Sequence, residues 1–128
     1  MRRFTLRFAG GETTGIAFGP EGPPDLVFLH ATGFNALTYR HLLEPLGDEF
    51  RVVALDLRGH GRSKLPADPW KMHSWRIYAR DLLRMLPALT QGGAPPVLAG
   101  HSMGGATALT ATAAKPVIAD RLVLLDPV

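Results

Sequence analysis

Apolar residues in this chain fall into short runs separated by segments rich in glycine and proline. Near the N-terminus, residues 3–9 alternate polar and apolar positions, which is typical of an exposed strand, and residues 13–19 are a plausible second strand. The turn residues between them predict a hairpin. The later runs are short and continuously apolar, as in strands that are buried on both faces of a sheet. They cover residues 25–30, 50–57, 95–100 and 121–128.

Segments with helical spacing lie between the buried runs. The first, residues 36–46, brings several apolar side chains to one side. The second begins at Ser74, a residue type that commonly caps a helix, and its apolar positions recur every three or four residues. The third, residues 103–115, consists mainly of small residues. Strand–helix–strand units after a hairpin predict an α/β fold, with a mostly parallel sheet, flanking helices and a sixth strand at its end.

Three predicted loops leave the carboxyl edge of this sheet, after His30, after Asp56 and after Gly100. Ligands of open α/β sheets bind at this edge, at the ends of the strands. We therefore expect the functional residues of the chain in these three loops.

The loop after Gly100 holds a serine between glycines. The stretch from Gly100 to Gly104 fits the pattern G-x-S-x-G, with a buried strand before it and a helix after it. A serine at so sharp a turn adopts a strained backbone, which lifts its hydroxyl clear of the sheet, and the glycines leave room for the tight approach of neighbouring strands. The amide of Met103, at the helix N-terminus, points to where negative charge would develop. Ser102 is thus a candidate nucleophile.

A structural glycine turn or a phosphate-binding loop is the alternative interpretation of this stretch. A Walker loop ends in Gly-Lys-Ser/Thr, and no lysine lies here. A dinucleotide-binding fingerprint needs G-x-G-x-x-G, which "GHSMGG" does not supply. The nucleophile is therefore the interpretation that the pattern favours.

Three motifs together resemble the α/β-hydrolase superfamily. They are "LVFLHATGFN" at 26–35, "VVALDLRGHGRS" at 52–63 and "VLAGHSMGG" at 97–105. Their order and spacing are similar to the N-terminal half of such a protein, through the nucleophile elbow and the following strand. The resemblance covers essentially the whole chain, and it implies that residues 1–128 form the N-terminal half of one domain, with the cap and the C-terminal strands absent.

The resemblance also implies roles for individual residues. Ser102 matches the nucleophile, and the backbone amides of Met103 and Thr32 match the donors of an oxyanion hole. Ala31 stands where glycine is more common in the family, which leaves the conformation of this loop open. His30 is expected to support the loop by hydrogen bonding.

A serine hydroxyl needs a histidine base, which a carboxylate orients. In the family the order is serine, acid, histidine, but no histidine follows Ser102 in this chain. Of the two acids that do, Asp120 precedes the last predicted strand and so lies at its opposite end. Asp126 follows that strand and is the candidate acid, with a structural or supporting role as the alternative.

Composition excludes several other kinds of site. The 128 residues include no cysteine, so disulfides and thiolate metal sites are excluded, and the histidines lack metal-ligand spacing. We expect neither a metal nor a cofactor. No run reaches the length of a membrane span or a signal peptide, so a cytoplasmic protein without a membrane partner is the expectation.

The net charge of +3 would suit a nucleic-acid-binding protein, but the arginines are scattered along the chain. Arg76, Arg80 and Arg84 are spaced four apart on one predicted helix face, and we expect that face to be solvated, with an anionic partner as the alternative. No nucleic-acid partner is therefore expected. Trp70 and Trp75 are expected in the core or at a pocket wall.

These observations predict a serine hydrolase that attacks an ester, thioester, lactone or similar acyl bond of a small-molecule substrate. Since the chain lacks the catalytic histidine, we expect it to be inactive alone and to be part of a larger enzyme. The last strand would be an exposed edge, which could pair with a second copy or with a missing C-terminal half. A non-catalytic hydrolase-like ligand-binding module, or an inactive fragment, is the alternative.

Overall fold

The computed structural model describes residues 1–128, and its strands form a single sheet of six. The strands are β1 Arg2–Phe8, β2 Gly11–Phe18, β3 Leu26–Leu29, β4 Val52–Leu55, β5 Val97–His101 and β6 Arg121–Leu125. Their order in the sheet is β1-β2-β4-β3-β5-β6. The hairpin of β1 and β2 pairs antiparallel with β4, and all remaining pairs are parallel. The predicted α/β fold, with its N-terminal hairpin, is confirmed.

Helices cover both faces of the sheet. The α-helices are α1 Arg40–Leu43, α2 Arg76–Thr90 and α3 Met103–Ala114. Short 3-10 helices occupy Ala36–Tyr39, Glu44–Asp48, Pro69–Lys71 and Pro116–Ile118. No helix has both the length and the apolar character that crossing a bilayer would require.

Alternate residues of the parallel strands feed two separate cores. Val27 and Leu98 are fully buried on the face that α2 and α3 cover, together with Leu82 and Met85 of α2. The next residue of β3, Phe28, points to the other face, where α1 and its flanking turns complete a smaller core. This alternation explains why the strand sequences are continuously apolar, since both faces of each strand are buried.

The segment 36–46 differs from the single helix that its spacing predicts. It consists of a 3-10 turn, the four-residue helix α1 and a second 3-10 turn. Pro45 has no amide hydrogen and so interrupts the helical ladder. Of the expected apolar side, Leu43 is buried, whereas Leu42 is 57% exposed.

Helix α2 begins near the predicted position and presents its arginines to solvent. The Ser74 hydroxyl accepts a hydrogen bond from the Arg76 amide at 3.2 Å, and the three arginines of the stripe are exposed, as expected. The prediction that Trp70 lies in the core or at a pocket wall was wrong, whereas Trp75 contributes to the wall of a shallow pocket together with Met72. Trp70 is 85% exposed and Trp75 is 38% exposed, because both belong to the connection that precedes α2 rather than to its buried face.

Helix α3 starts in very close contact with the ends of β3 and β5. A Cβ atom on Gly104 would lie 2.1 Å from the Leu29 carbonyl oxygen, and one on Gly100 would lie 2.3 Å from the Gly104 backbone. Both neighbours are main-chain atoms, which cannot move aside as a flexible side chain can. Glycine is therefore required at both positions for the turn between β5 and α3 to form, as the sequence pattern predicts.

This contact predicts that Gly104→Ala destabilises the fold by about 3 kcal/mol or more, as severe overpacking does. Gly92→Ala is the matched control. Gly92 has a φ of +81° and open space around it, so an alanine there meets only the backbone cost of roughly 1–2 kcal/mol. Urea unfolding of the two variants measures the difference, and equal losses would show that the Gly104 contact does not constrain the fold.

Candidate active site

Ser102 lies at the turn from β5 into α3 and has a strained backbone. Its φ is 50° and its ψ is −118°, a combination that a residue with a side chain rarely adopts. Two hydrogen bonds hold it there. The Ser102 amide donates to the Leu125 carbonyl at 2.9 Å, and its own carbonyl accepts from the Ala106 amide at 3.0 Å. The side chain is half-buried and forms no hydrogen bond within the protein.

The loop after β3 forms a tight turn around Thr32. The Phe34 amide donates to the Ala31 carbonyl at 3.2 Å, and Gly33 has a φ of +79°. A positive φ at the third position is the signature of a type II turn. Thr32 occupies the second position, is exposed, and its amide is not used by any hydrogen bond of the loops and turns.

The start of α3 lies directly against this loop. The close approach of Gly104 to the carbonyl oxygens of Leu29 and His30 brings the two segments together at the carboxyl edge. Met103 is the first residue of the helix, and first-turn amides have no intrahelical acceptor. The residues Thr32, Ser102 and Met103, which the sequence singles out, thus belong to two adjoining turns.

His30 is fully buried and links the loop after β3 to the end of β4. Its Nε2 accepts from the Leu57 amide at 3.0 Å, so Nδ1 carries the hydrogen and donates to the Ala31 carbonyl at 2.8 Å. Burial lowers the pKa of His30 to about 4. The neutral ring therefore supports the loop, as expected from the sequence.

Asp56 fixes the far end of the same loop. Its carboxylate accepts from the Ala36 amide at 2.9 Å, the Arg62 amide at 3.0 Å and the Thr14 hydroxyl at 2.6 Å. Gly61 packs so closely on this carboxylate that a Cβ would lie 2.3 Å from it. Asp56 thus joins the loops after β3 and β4.

Arg58 secures the loop after β4 from its other side. Its guanidinium donates to both carboxylate oxygens of Asp81 in α2, at 2.7 and 2.8 Å. This hydrogen-bonded carboxylate raises the pKa of Arg58 above its ordinary value. A fork-shaped pair of this kind fixes orientation as well as distance.

Tyr39 is a member of the site that the sequence did not reveal. Its hydroxyl accepts from the Ala31 amide at 3.2 Å and lies 2.8 Å from Nδ1 of His101. Helical spacing places Tyr39 on the apolar side of its segment, and nothing in the pattern indicates a partner in β5. The His101 ring is directed to Tyr39.

Asp126 follows β6 directly, at the same edge as Ser102. His101 pairs with Leu125 in the register of β5 and β6, so the next residue of each strand, Ser102 and Asp126, leaves the sheet side by side. Asp126 is exposed and has a φ of 46°. Asp120 lies at the opposite edge, as expected, and pairs with Arg121 at 3.4 Å.

A cavity of about 540 Å³ lies away from this site. Leu26 and Val97, which begin β3 and β5, contribute to its wall together with Phe50 and Pro23. These residues lie at the amino edge of the sheet, whereas Ser102 lies at the carboxyl edge. The cavity therefore belongs to a different surface of the molecule.

Comparison with known protein families identifies the family to which the chain belongs. Residues 26–128 match the family model described as the alpha/beta hydrolase family. The chain belongs to this family. The match includes all three loops of the carboxyl edge, so the site described above lies inside the family region.

Two curated proteins named as lipases illustrate the similarity. Over 112 residues the chain is 39% identical to Lipase LipV of Mycobacterium tuberculosis, and the match covers 86% of the chain and 40% of LipV. Over 108 residues it is 38% identical to the sn-1-specific diacylglycerol lipase ABHD11 of Mus musculus, and the match covers 80% of the chain and 32% of ABHD11. The chain thus spans less than half the length of these relatives.

A solved protein structure has the same fold over nearly the whole chain. The thioesterase domain from the curacin biosynthetic pathway superposes with a TM-score of 0.84 at 27% identity, and the match covers 99% of the chain and 46% of that domain.

The buried His30 predicts a loss of stability between pH 6.5 and pH 4. Its pKa is about 4 in the folded state against an ordinary value of 6.5, so the unfolded state binds more protons as the pH falls through this range. The neutral ring therefore contributes stability above pH 6.5, and roughly 3 kcal/mol of it is lost by pH 4.

Urea unfolding at pH 7, 5.5 and 4 measures this loss in the wild type and in His30→Gln, whose amide oxygen can still accept from the Leu57 amide. The variant should lose less stability over the same interval. His41→Gln replaces an exposed histidine. Its free energy of unfolding should fall with pH as steeply as that of the wild type. If the free energy of unfolding of His30→Gln falls with pH as steeply as that of the wild type, the buried His30 is not the source of the pH dependence.

Proposed function

We propose that this chain carries the nucleophile and the oxyanion hole of a serine hydrolase. The observation that carries the proposal is the strained turn of Ser102, which adjoins two segments whose amides, at Thr32 and Met103, have no other role. A side chain held in a rare backbone conformation is costly, and such strain clusters at functional sites.

In the proposed reaction the Ser102 Oγ attacks the carbonyl carbon of a small-molecule acyl compound, an ester, thioester or lactone. Negative charge develops on the carbonyl oxygen, and the amides of Thr32 and Met103 donate hydrogen bonds to it. The leaving alcohol or thiol takes the proton that Ser102 gave up. Water then releases the acyl group from Ser102 by the same steps.

A histidine base must accept the Ser102 proton and pass it to the leaving group. The histidines of the chain make other contacts or lie on the surface, and none hydrogen-bonds to Ser102. We propose that the base comes from outside these 128 residues. Asp126 is the proposed orienting acid, because it leaves the sheet beside Ser102 and its carboxylate is exposed.

The edge of β6 is the proposed route by which the base is supplied. Val123 is 44% exposed and Leu125 is 40% exposed, although the strand is as apolar as the buried ones. An unpaired apolar strand favours pairing with another strand. A C-terminal half that docks on β6 fits this edge, and self-association through β6 is the alternative.

A non-catalytic ligand-binding module remains the second candidate function. It is favoured by the fact that no imidazole of the chain hydrogen-bonds to Ser102. The turns of Ser102 and Thr32 would then hold a ligand without turnover.

Reaction with a fluorophosphonate probe tests the proposal. We expect a longer chain that contains these residues to gain the probe mass at Ser102 and to hydrolyse a p-nitrophenyl ester, and Ser102→Ala to lose both, with a fall in kcat of roughly 10⁴-fold or more. Ser74→Ala is the matched control and should keep both. We expect the 128-residue chain alone to show no turnover.

Two results would contradict the proposal. A folded longer chain that is neither labelled nor active would support the binding module instead. Turnover by the 128-residue chain as a monomer would show that the base lies within these residues.

A further inference from the structure

A hydrogen-bonded bridge connects the turn of Ser102 to the turn of Thr32. Tyr39 accepts from the Ala31 amide at 3.2 Å, and the same hydroxyl lies 2.8 Å from Nδ1 of His101. Ala31 is the residue before Thr32, and His101 is the residue before Ser102. The bridge therefore joins the two segments one residue away from the atoms that the proposed reaction uses.

The proton positions in the bridge follow from its partners. The Tyr39 oxygen already accepts from Ala31, and the only acceptor within the protein for its hydrogen is Nδ1 of His101. The arrangement that uses every group has Tyr39 donating to an unprotonated Nδ1, which places the His101 hydrogen on Nε2. Both hydrogen bonds of the bridge are thus donated in the same direction, from Ala31 to Tyr39 and from Tyr39 to His101.

The Tyr39 ring is fixed by its surroundings. Its centroid lies 4.6 Å from that of Phe28 in β3 and 6.1 Å, edge to face, from that of Phe34 in the loop after β3. The His101 ring packs edge to face on it at 6.0 Å. Because the ring cannot shift easily, the hydroxyl holds Ala31 and His101 at a set separation.

We propose that Tyr39 and His101 are positioning residues that set the distance between the Thr32 amide and Ser102. This inference rests on the proposed function. An oxyanion-hole donor acts only when it lies about 2.7–3.1 Å from the developing oxyanion. The Ala31 amide tethered to Tyr39 limits the movement of the adjoining Thr32 amide, and His101 ties that tether to the strand that carries Ser102.

Tyr39→Phe tests the bridge, since it removes only the hydroxyl and keeps the packed ring. In an active longer chain we expect kcat to fall roughly tenfold, less than the 10²–10³-fold that follows removal of an oxyanion donor itself. KM should change little, because the substrate is still bound. Tyr78→Phe alters the second tyrosine of the chain, which lies outside the bridge, and is the matched control.

His101 offers a rescue experiment. His101→Ala removes the acceptor and should lower kcat as Tyr39→Phe does. His101→Asn places an amide oxygen near the position of Nδ1, so Tyr39 can donate again, and most of kcat should return. Combining Tyr39→Phe with His101→Ala should cost little more than either change alone, because both break one bridge.

A spectroscopic measurement tests the bridge without turnover. Nitrogen NMR of the histidine rings in the 128-residue chain should show His101 with its hydrogen on Nε2, and Tyr39→Phe should shift this tautomer equilibrium. A His101 ring with its hydrogen on Nδ1 would overturn the proton assignment.

The kinetic outcomes separate the two proposals. If the wild type turns over substrate and Tyr39→Phe retains the kcat of Tyr78→Phe, the positioning role is wrong and the proposed function stands. If the wild type neither turns over substrate nor is labelled at Ser102, the proposed function is wrong, and the bridge is then only a structural contact.

Discussion

The approach of the α3 backbone to the ends of β3 and β5 is the constraint on which the site depends. It is possible only because Gly100 and Gly104 lack side chains, since a Cβ at either position would overlap main-chain atoms. This contact forces the connection between β5 and α3 into a very tight turn, and Ser102 takes the strained conformation that such a turn requires. Without it, the helix N-terminus would move away from the loop after β3.

The remaining contacts of the carboxyl edge serve to hold the opposing loop. His30 ties its start to Leu57 after β4, Asp56 ties its end to the loop after β4, and Tyr39 ties the Ala31 amide to β5. Each anchor uses main-chain amides, so the backbone itself is positioned rather than a mobile side chain. A rigid backbone is what an oxyanion hole needs, because its donors must be in place before charge develops.

Much of this arrangement could be predicted from the sequence. The apolar runs and the glycines around Ser102 identify the strands and the elbow, since burial on both faces and close packing leave strong local patterns. The bridge of Tyr39 and His101 could not be predicted, because its partners are 62 residues apart. Likewise, only the structure shows that Pro45 divides the segment after β3 and that the chain before α2 leaves Trp70 exposed.

The most direct test of this account is the crystal structure of a longer chain, containing these residues, after reaction with a fluorophosphonate. We expect a covalent bond from the Ser102 Oγ to phosphorus. We also expect the phosphonyl oxygen to accept hydrogen bonds from the Thr32 and Met103 amides at about 2.7–3.1 Å. A phosphonyl oxygen turned away from these two amides, or an adduct on another residue, would contradict it.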